Sequence, residues 1–343
     1  MSITVLKPGM LSSFQDLGRA GYQHQGIPAA GAMDERAHRL ASLLTGNPPT
    51  RATLEITMIG PTLRFDAPAC FALAGADLDA RLGGLPVAPL RPVLARAGDA
   101  LTFSARPKPG RGLRAYLAVH GGYVIDAVMG SESTYLRGRF GGLQGRALAR
   151  GDVIGLRSPL RDDGRLDALD AAMQDLSLYL PAALVQAPRA ALRILPGSHW
   201  DTFDAESRRH FVESDFLITP ASDRMGYRLQ GPDIRQRMPR QILSEATGFG
   251  TVQVPSGGQP IVLMADRQTT GGYPKIAQVA SVDLPLLAQL APGEAVRFTM
   301  TDIAEAQRLD QARERAYAGL HDALLPLREQ LATQRQCPPD EPA

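Results

Sequence analysis

Ile261-Val262-Leu263-Met264 runs straight into Ala265-Asp266-Arg267-Gln268-Thr269-Thr270-Gly271-Gly272-Tyr273-Pro274-Lys275. The first four residues fit a buried strand. The eleven that follow hold a carboxylate, two cations, an amide, two hydroxyls, a phenol and a Gly-Gly pair. A strand that ends in so mixed a polar set delivers it to a rim or cleft, and glycine lets backbone approach a ligand closely. A hairpin turn is the other reading, because Gly-Gly also marks turns.

Outward from this stretch the chain reads as short strands punctuated by 34 glycines and 27 prolines. Strands are expected at Ile3–Leu6, Thr62–Phe65, Cys70–Ala74, Ala100–Phe103, Ala115–Val119, Leu192–Leu195, Phe216–Thr219, Gly250–Val254, Ile261–Met264 and Ala295–Thr299. Helices are fewer. Met33–Leu44 has apolar residues at helical spacing and stops at Gly46-Asn47-Pro48. Asp283–Leu290 is short, and Leu166–Leu180 is a further candidate. The longest, from Ile303 to about Leu324, opens on the capping pair Asp302 and Glu305. The fold class is therefore mainly β, a β-rich α+β chain.

A phrase of glycine, acid, any residue, then alternating apolar residues recurs at Gly98-Asp99, Gly151-Asp152 and Gly293-Glu294, each time feeding a strand. Glu55 with Gly60 and Glu245 with Gly250 form a second echo. These echoes point to two related halves, placed at 1–158 and 191–300. A linker with a helix lies at 159–190, a C-terminal helix at 301–330 and a disordered Pro-rich tail at 331–343.

The chain has 343 residues and a formal net charge of +2, which gives no electrostatic case for nucleic acid or an anionic membrane. Lysine occurs only at Lys7, Lys108 and Lys275, so arginine dominates the cations. That bias suits planar recognition of anions, and a GC-rich genome would produce it too. The two cysteines, Cys70 and Cys337, do not look like a disulfide pair. With no leader-like N-terminus and no membrane-length apolar run, a cytoplasmic protein is expected. There is no phosphate loop, no Gly-X-Ser-X-Gly elbow, no zinc-like histidine spacing and no biotin-carrying lysine motif. No metal site is expected.

Polar, Gly-rich loops between apolar runs mark the candidate site. In Ser222-Asp223-Arg224-Met225-Gly226-Tyr227-Arg228, Asp223 and Arg224 point to opposite faces if extended. Arg224 reads either as a fork for an anion or as half of a surface ion pair. Asp223 reads as an acceptor for an N–H or as an orienting group. Glu245 reads as a general base or as an acceptor for backbone N–H groups.

Six dispersed motifs carry a resemblance. They are Gly31-Ala32-Met33-Asp34, Leu54–Leu63, Ala74–Leu78, Ser133–Gly138, Ser222–Arg228 and Asp266–Lys275. In this order they resemble the allophanate hydrolase subunit 2 family, also called the biotin-dependent carboxyltransferase family. It includes component C of bacterial ATP-dependent 5-oxoprolinase and half of the carboxyltransferase region of urea carboxylase. The resemblance implies two cyclophilin-like β-barrel halves. It also implies two partners: a protein of the allophanate hydrolase subunit 1 family (component B) and a lactam-utilisation family protein (component A). The implied chemistry is ATP-dependent opening of 5-oxoproline, with ATP bound in the complex rather than by this chain and no biotin attached to it. Arg224 and Arg267 would then serve as catalytic cations; Glu245 is the third candidate catalytic residue, from its own sequence context rather than from the resemblance. Asp223, Tyr227, Gln268, Thr269, Thr270, Gly271, Gly272, Tyr273 and Lys275 would hold the substrate. Two other activities are open: a carboxyltransferase half acting on urea-like amides with carboxybiotin, and a regulatory protein paired with a kinase-inhibitor-like protein.

Overall fold

The computed structural model describes residues 1–103, 112–185, 191–238 and 242–334. Lys108, Cys337 and residues 335–343 of the expected tail lie outside them. The chain divides into two compact units: Met1–Gly18 with Glu35–Pro181 and the residues from Tyr317 on, and Arg19–Asp34 with Ala182–Ala316. The division after Pro181 falls within the segment expected as a linker. Helix Leu166–Asp175 is counted with the first unit.

The mainly-β expectation holds. In the first unit a five-stranded antiparallel sheet runs in the order Leu11–Gln15, Thr53–Thr57, Arg114–Val119, Ala69–Gly75, Pro92–Ala95. A six-stranded sheet includes Ser2–Lys7 between Val153–Gly155 and Thr62–Phe65. Arg114–Val119 is buried at every position, so its apolar residues do not alternate. Helix Glu35–Leu44 packs on the five-stranded sheet. Its Ala37, Leu40, Ala41 and Leu44 are buried at helical spacing, and Gly46 follows with a φ of 72°.

The second unit is built on one eight-stranded sheet. Its order is Ala295–Val296, Phe216–Ile218, Gly226–Gln230, Ile261–Leu263, Thr251–Gln253, Lys275–Val279, Leu192–Pro196, Phe298–Met300. The two end strands are neighbours in the chain, separated only by Arg297. The sheet must therefore curl until its ends nearly meet, which makes it a nearly closed barrel. Arg297 is where the expected strand Ala295–Thr299 breaks, and its guanidinium pairs with Asp215 at 2.8 Å. Phe211 and Phe298 stack inside at 4.7 Å, with Phe216 beside both.

The recurring glycine–acid phrase is a recurring turn. The amides of Asp99, Asp152 and Glu294 donate to the carbonyls of Arg96, Ala149 and Ala291, each three residues back. Each acid's carboxylate in turn accepts the amide of that same residue, at 2.8, 2.7 and 2.6 Å. Gly98, Gly151 and Gly293 have φ of 92°, 88° and 90°, as the third position of a type II turn requires. The second echo has no such basis. Glu55 is buried and accepts from the Tyr116 hydroxyl at 2.7 Å, whereas Glu245 is exposed.

Helix Ile303–Ala323 starts as expected, with the Glu305 amide donating to Asp302 at 2.8 Å. A second helix, Leu325–Thr333, follows and takes in part of the expected tail. No helix among the described residues is long and apolar enough to cross a membrane.

A Cβ at Gly98, Gly151 or Gly293 meets nothing within 4 Å, so substitution there strains only the backbone. Each Gly→Ala change should therefore cost about 1–2 kcal/mol in urea unfolding. A change too small to measure would contradict the shared turn.

Candidate functional site

The loop that begins the site is fixed from below. Arg224 is buried, and its Nε and Nη2 donate to the two oxygens of Asp266 at 3.0 and 2.9 Å. Nη2 also donates to the Gly31 carbonyl at 2.7 Å, and the Asp266 amide donates to the Arg224 carbonyl at 2.8 Å. Asp223 accepts the amides of Met225 and Gly226 at 2.8 and 3.3 Å, which shapes the turn. These contacts correct the expectation that Arg224 is a fork for substrate, because its fork is already filled by a carboxylate and a carbonyl. Tyr227 is corrected as well. It is 2% exposed within the barrel core, and its hydroxyl donates to the carbonyls of Ala288 and Leu290. Strand alternation turns Tyr227 inward and leaves Arg228 outward.

Arg267 is half-buried. Its Nη1 reaches the Met264 carbonyl at 3.4 Å, its guanidinium lies 5.7 Å from the Phe249 ring centroid, and its Nε is buried without an acceptor. Burial pulls its pKa below the ordinary arginine value, and the charge of Asp266 offsets part of that. The main chain from Gln268 to Gly271 builds a small ribbon. The Thr247 hydroxyl donates to Gln268 O, and the Thr247 amide donates to Thr269 O at 3.0 Å. Thr270–Gly271 pairs with Glu245–Ala246. The Gln268 and Thr270 side chains point to solvent. Gly272, Tyr273 and Pro274 wall a cavity of about 500 Å³ together with Ile242 and Pro255. Neither Arg224 nor Arg267 lines it.

At the end of the loop lies a tighter cluster. Lys275 Nζ donates to Glu245 Oε2 and to the Ala246 carbonyl, both at 2.8 Å. Its amide donates to His199 Nδ1 at 3.2 Å, and His199 Nε2 stands 3.9 Å from Glu245 Oε1. His199 arrives on the turn Gly197-Ser198-His199, which lies flat on strand Lys275–Val279 through hydrogen bonds to Ile276 O and Lys275 O. A Cβ at Gly197 would strike Lys275 O at 2.4 Å, so only glycine allows this approach. Gln253 pairs with Lys275 across the sheet, immediately after a bulge in the register at Val252/Gln253.

Glu245, expected as a base, is held below the usual carboxylate range by the hydrogen bond and charge of Lys275. That makes it a weaker proton acceptor than a free glutamate. His199 went unrecognised in the sequence as a site residue, whereas Gln253 follows Glu245 in one of the polar stretches the sequence marks. The available signal was a Gly-Ser-His turn directly after a strand. Among the described residues no group of three or more His, Cys, Asp or Glu is placed to hold a metal ion. What the cluster can do is offer N–H donors to an oxygen.

Residues 25–300 match the family model of the carboxyltransferase domain, subdomains A and B, and the chain belongs to that family. It is 38% identical to the 5-oxoprolinase component C of Escherichia coli (strain K12) over 93% of this chain and 97% of that protein. It is 29% identical to urea amidolyase of Lachancea kluyveri over 94% of this chain, but only 18% of that protein is covered. Its fold superimposes on the crystal structure of K. lactis urea amidolyase with a TM-score of 0.82 and 28% identity. That match covers 93% of this chain and 20% of the other.

Removing one partner of a buried pair strands the other charge, so Arg224→Ala should cost about 3–5 kcal/mol in chemical unfolding. Arg224→Lys should recover little of that loss, because a point charge cannot make the fork. An Arg224→Ala chain of undiminished stability would contradict the clamp.

The depressed pKa of Glu245 means its bridge to Lys275 is complete above the ordinary glutamate pKa and is lost as pH falls through the lower folded value. Carboxyl ¹³C NMR should find the Glu245 midpoint below 4.5, its ordinary value, and Lys275→Met should bring it back up. An unmoved midpoint would contradict the pairing.

Proposed function

We propose that this chain is one component of an ATP-dependent 5-oxoprolinase complex, which opens a cyclic amide to glutamate. The observation that carries this reading is the 38% identity to the Escherichia coli 5-oxoprolinase component across nearly the full length of both chains. The expected partners are a protein of the allophanate hydrolase subunit 1 family and a protein of the lactam-utilisation family.

A lactam carbonyl is a poor electrophile, and ATP bound elsewhere in the complex supplies phosphorylation of its oxygen before water attacks. The task left to this chain is to bind and orient an anionic substrate, which needs fixed cations and N–H donors. Lys275 supplies a cation and Gly271-Gly272 the close backbone approach, and Tyr273, two residues before Lys275, walls the adjoining cavity.

A second reading is a carboxyltransferase half that takes a urea-like amide with carboxybiotin from another protein. It is favoured by the fold likeness to urea amidolyase, of whose chain this one spans a fifth.

Co-expression of this chain with the two partner proteins, followed by measurement of glutamate release from 5-oxoproline, tests the choice. ATP-dependent release that needs this chain is the expected result. Lys275→Met should lower kcat/KM about 10–100-fold, the worth of a charged hydrogen bond. Failure of the complex to act on 5-oxoproline, with urea carboxylated when carboxybiotin is given, would contradict the first reading and support the second.

A further inference from the structure

Two side chains beside Lys275 have no part in the mechanism so far. Gln253 is 5% exposed, and its Nε2 is buried without an acceptor. That nitrogen lies against Gly271, where an added Cβ would come within 2.6 Å of it. A buried amide with no partner is costly and rare.

The other side chain is His199. Its Nδ1 accepts the Lys275 amide at 3.2 Å and lies 3.0 Å from the Ser198 hydroxyl. The acceptor role of Nδ1 puts the hydrogen of the neutral ring on Nε2, which faces Glu245 Oε1 at 3.9 Å, beyond hydrogen-bond range.

Three nitrogens thus share one region of the barrel edge. Lys275 links them: its amide holds His199, its Nζ holds Glu245, and Gln253 is its cross-strand partner. The carboxylate that meets Lys275 Nζ is Glu245, an exposed residue.

We infer that His199 Nε2, Gln253 Nε2 and Lys275 Nζ form a receptor for the carboxylate of a small amide substrate, with Glu245 holding that place until the substrate carboxylate displaces it. The exchange puts one carboxylate for another on the same cation, so Lys275 keeps a counter-charge while the exposed Glu245 carboxylate is released to water. His199 and Gln253 then gain the acceptors they lack. The inference rests on the amide-substrate reading above and goes beyond it, naming which end of the substrate is held and by which atoms. No bond is made or broken here; His199 and Gln253 act by donating hydrogen bonds.

The test is ¹⁵N imidazole NMR on the full chain, alone and in the co-purified complex, with His199 assigned by its loss in His199→Gln. The probes are 5-oxoproline and 2-pyrrolidinone, the same lactam without the carboxylate. The Nε2–H tautomer is expected in the free protein, and 5-oxoproline should shift Nε2 while 2-pyrrolidinone should not. Glu245→Gln should bind 5-oxoproline several-fold more tightly, because the internal competitor loses its charge. Gly271→Ala, which presses on Gln253 Nε2, should bind about tenfold more weakly with the tautomer unchanged.

An Nδ1–H tautomer, equal shifts by both lactams, or no shift in either the chain or the complex would overturn the inference. So would weaker binding by Glu245→Gln. If the shift appears but the complex does not hydrolyse 5-oxoproline, the receptor stands and the proposed function falls.

Discussion

The bidentate pair between Arg224 and Asp266 is the constraint on which the rest of the second unit's site depends. It joins residues 42 apart in sequence and reaches a third segment at Gly31. Next to it the Asp266 amide closes back on Arg224 O, so main chain and side chains lock together. Such a pair adds little net stability compared with an apolar replacement of equal volume, but losing one member is expensive. Its effect is one of specificity. It fixes where strand Ile261–Leu263 ends and at what angle the polar loop leaves the barrel.

From that fixed start the loop divides its polar residues between two tasks. Its first part is structural: Asp266 is consumed by the clamp, and the backbone of Gln268–Gly271 by the ribbon with Glu245–Ala246. The last part stays open. Lys275 lies on a sheet strand, not in the loop proper, so its ammonium is carried by a rigid element. The same residue positions His199 with its amide and restrains Glu245 with its ammonium. A site so arranged is held by the barrel wall rather than by loop conformation, which suits a group that must meet its ligand already oriented.

Much of the fold was legible because it is written locally. The glycine–acid turns repeat in sequence because the same carboxylate-to-amide contact repeats in space. Ile261-Val262-Leu263 was readable as a strand from β-branched residues alone. Strands Leu11–Gln15 and Thr53–Thr57 were not, because buried polar residues such as Ser13, Gln15 and Glu55 erase the alternation. Helix Ala205–Glu213 was missed although Asp204 caps it through the Ser207 amide at 2.6 Å, a signal that was present in the sequence. The role of Tyr227 could not be read, and Arg224 could be read only as either an anion fork or half of an ion pair. Whether an arginine meets substrate or a buried aspartate depends on what lies across the sheet, and one strand's sequence does not record that. His199 was hidden for the same reason, since it becomes notable only through its contact with Lys275.

The most direct measurement is a crystal structure of the assembled complex with 5-oxoproline bound. The ligand carboxylate is expected within hydrogen-bond distance of Lys275 Nζ and His199 Nε2, with Glu245 swung away and Arg224 still paired to Asp266. A ligand oxygen seated on Arg224, with Asp266 displaced from it, would contradict the division between clamp and receptor.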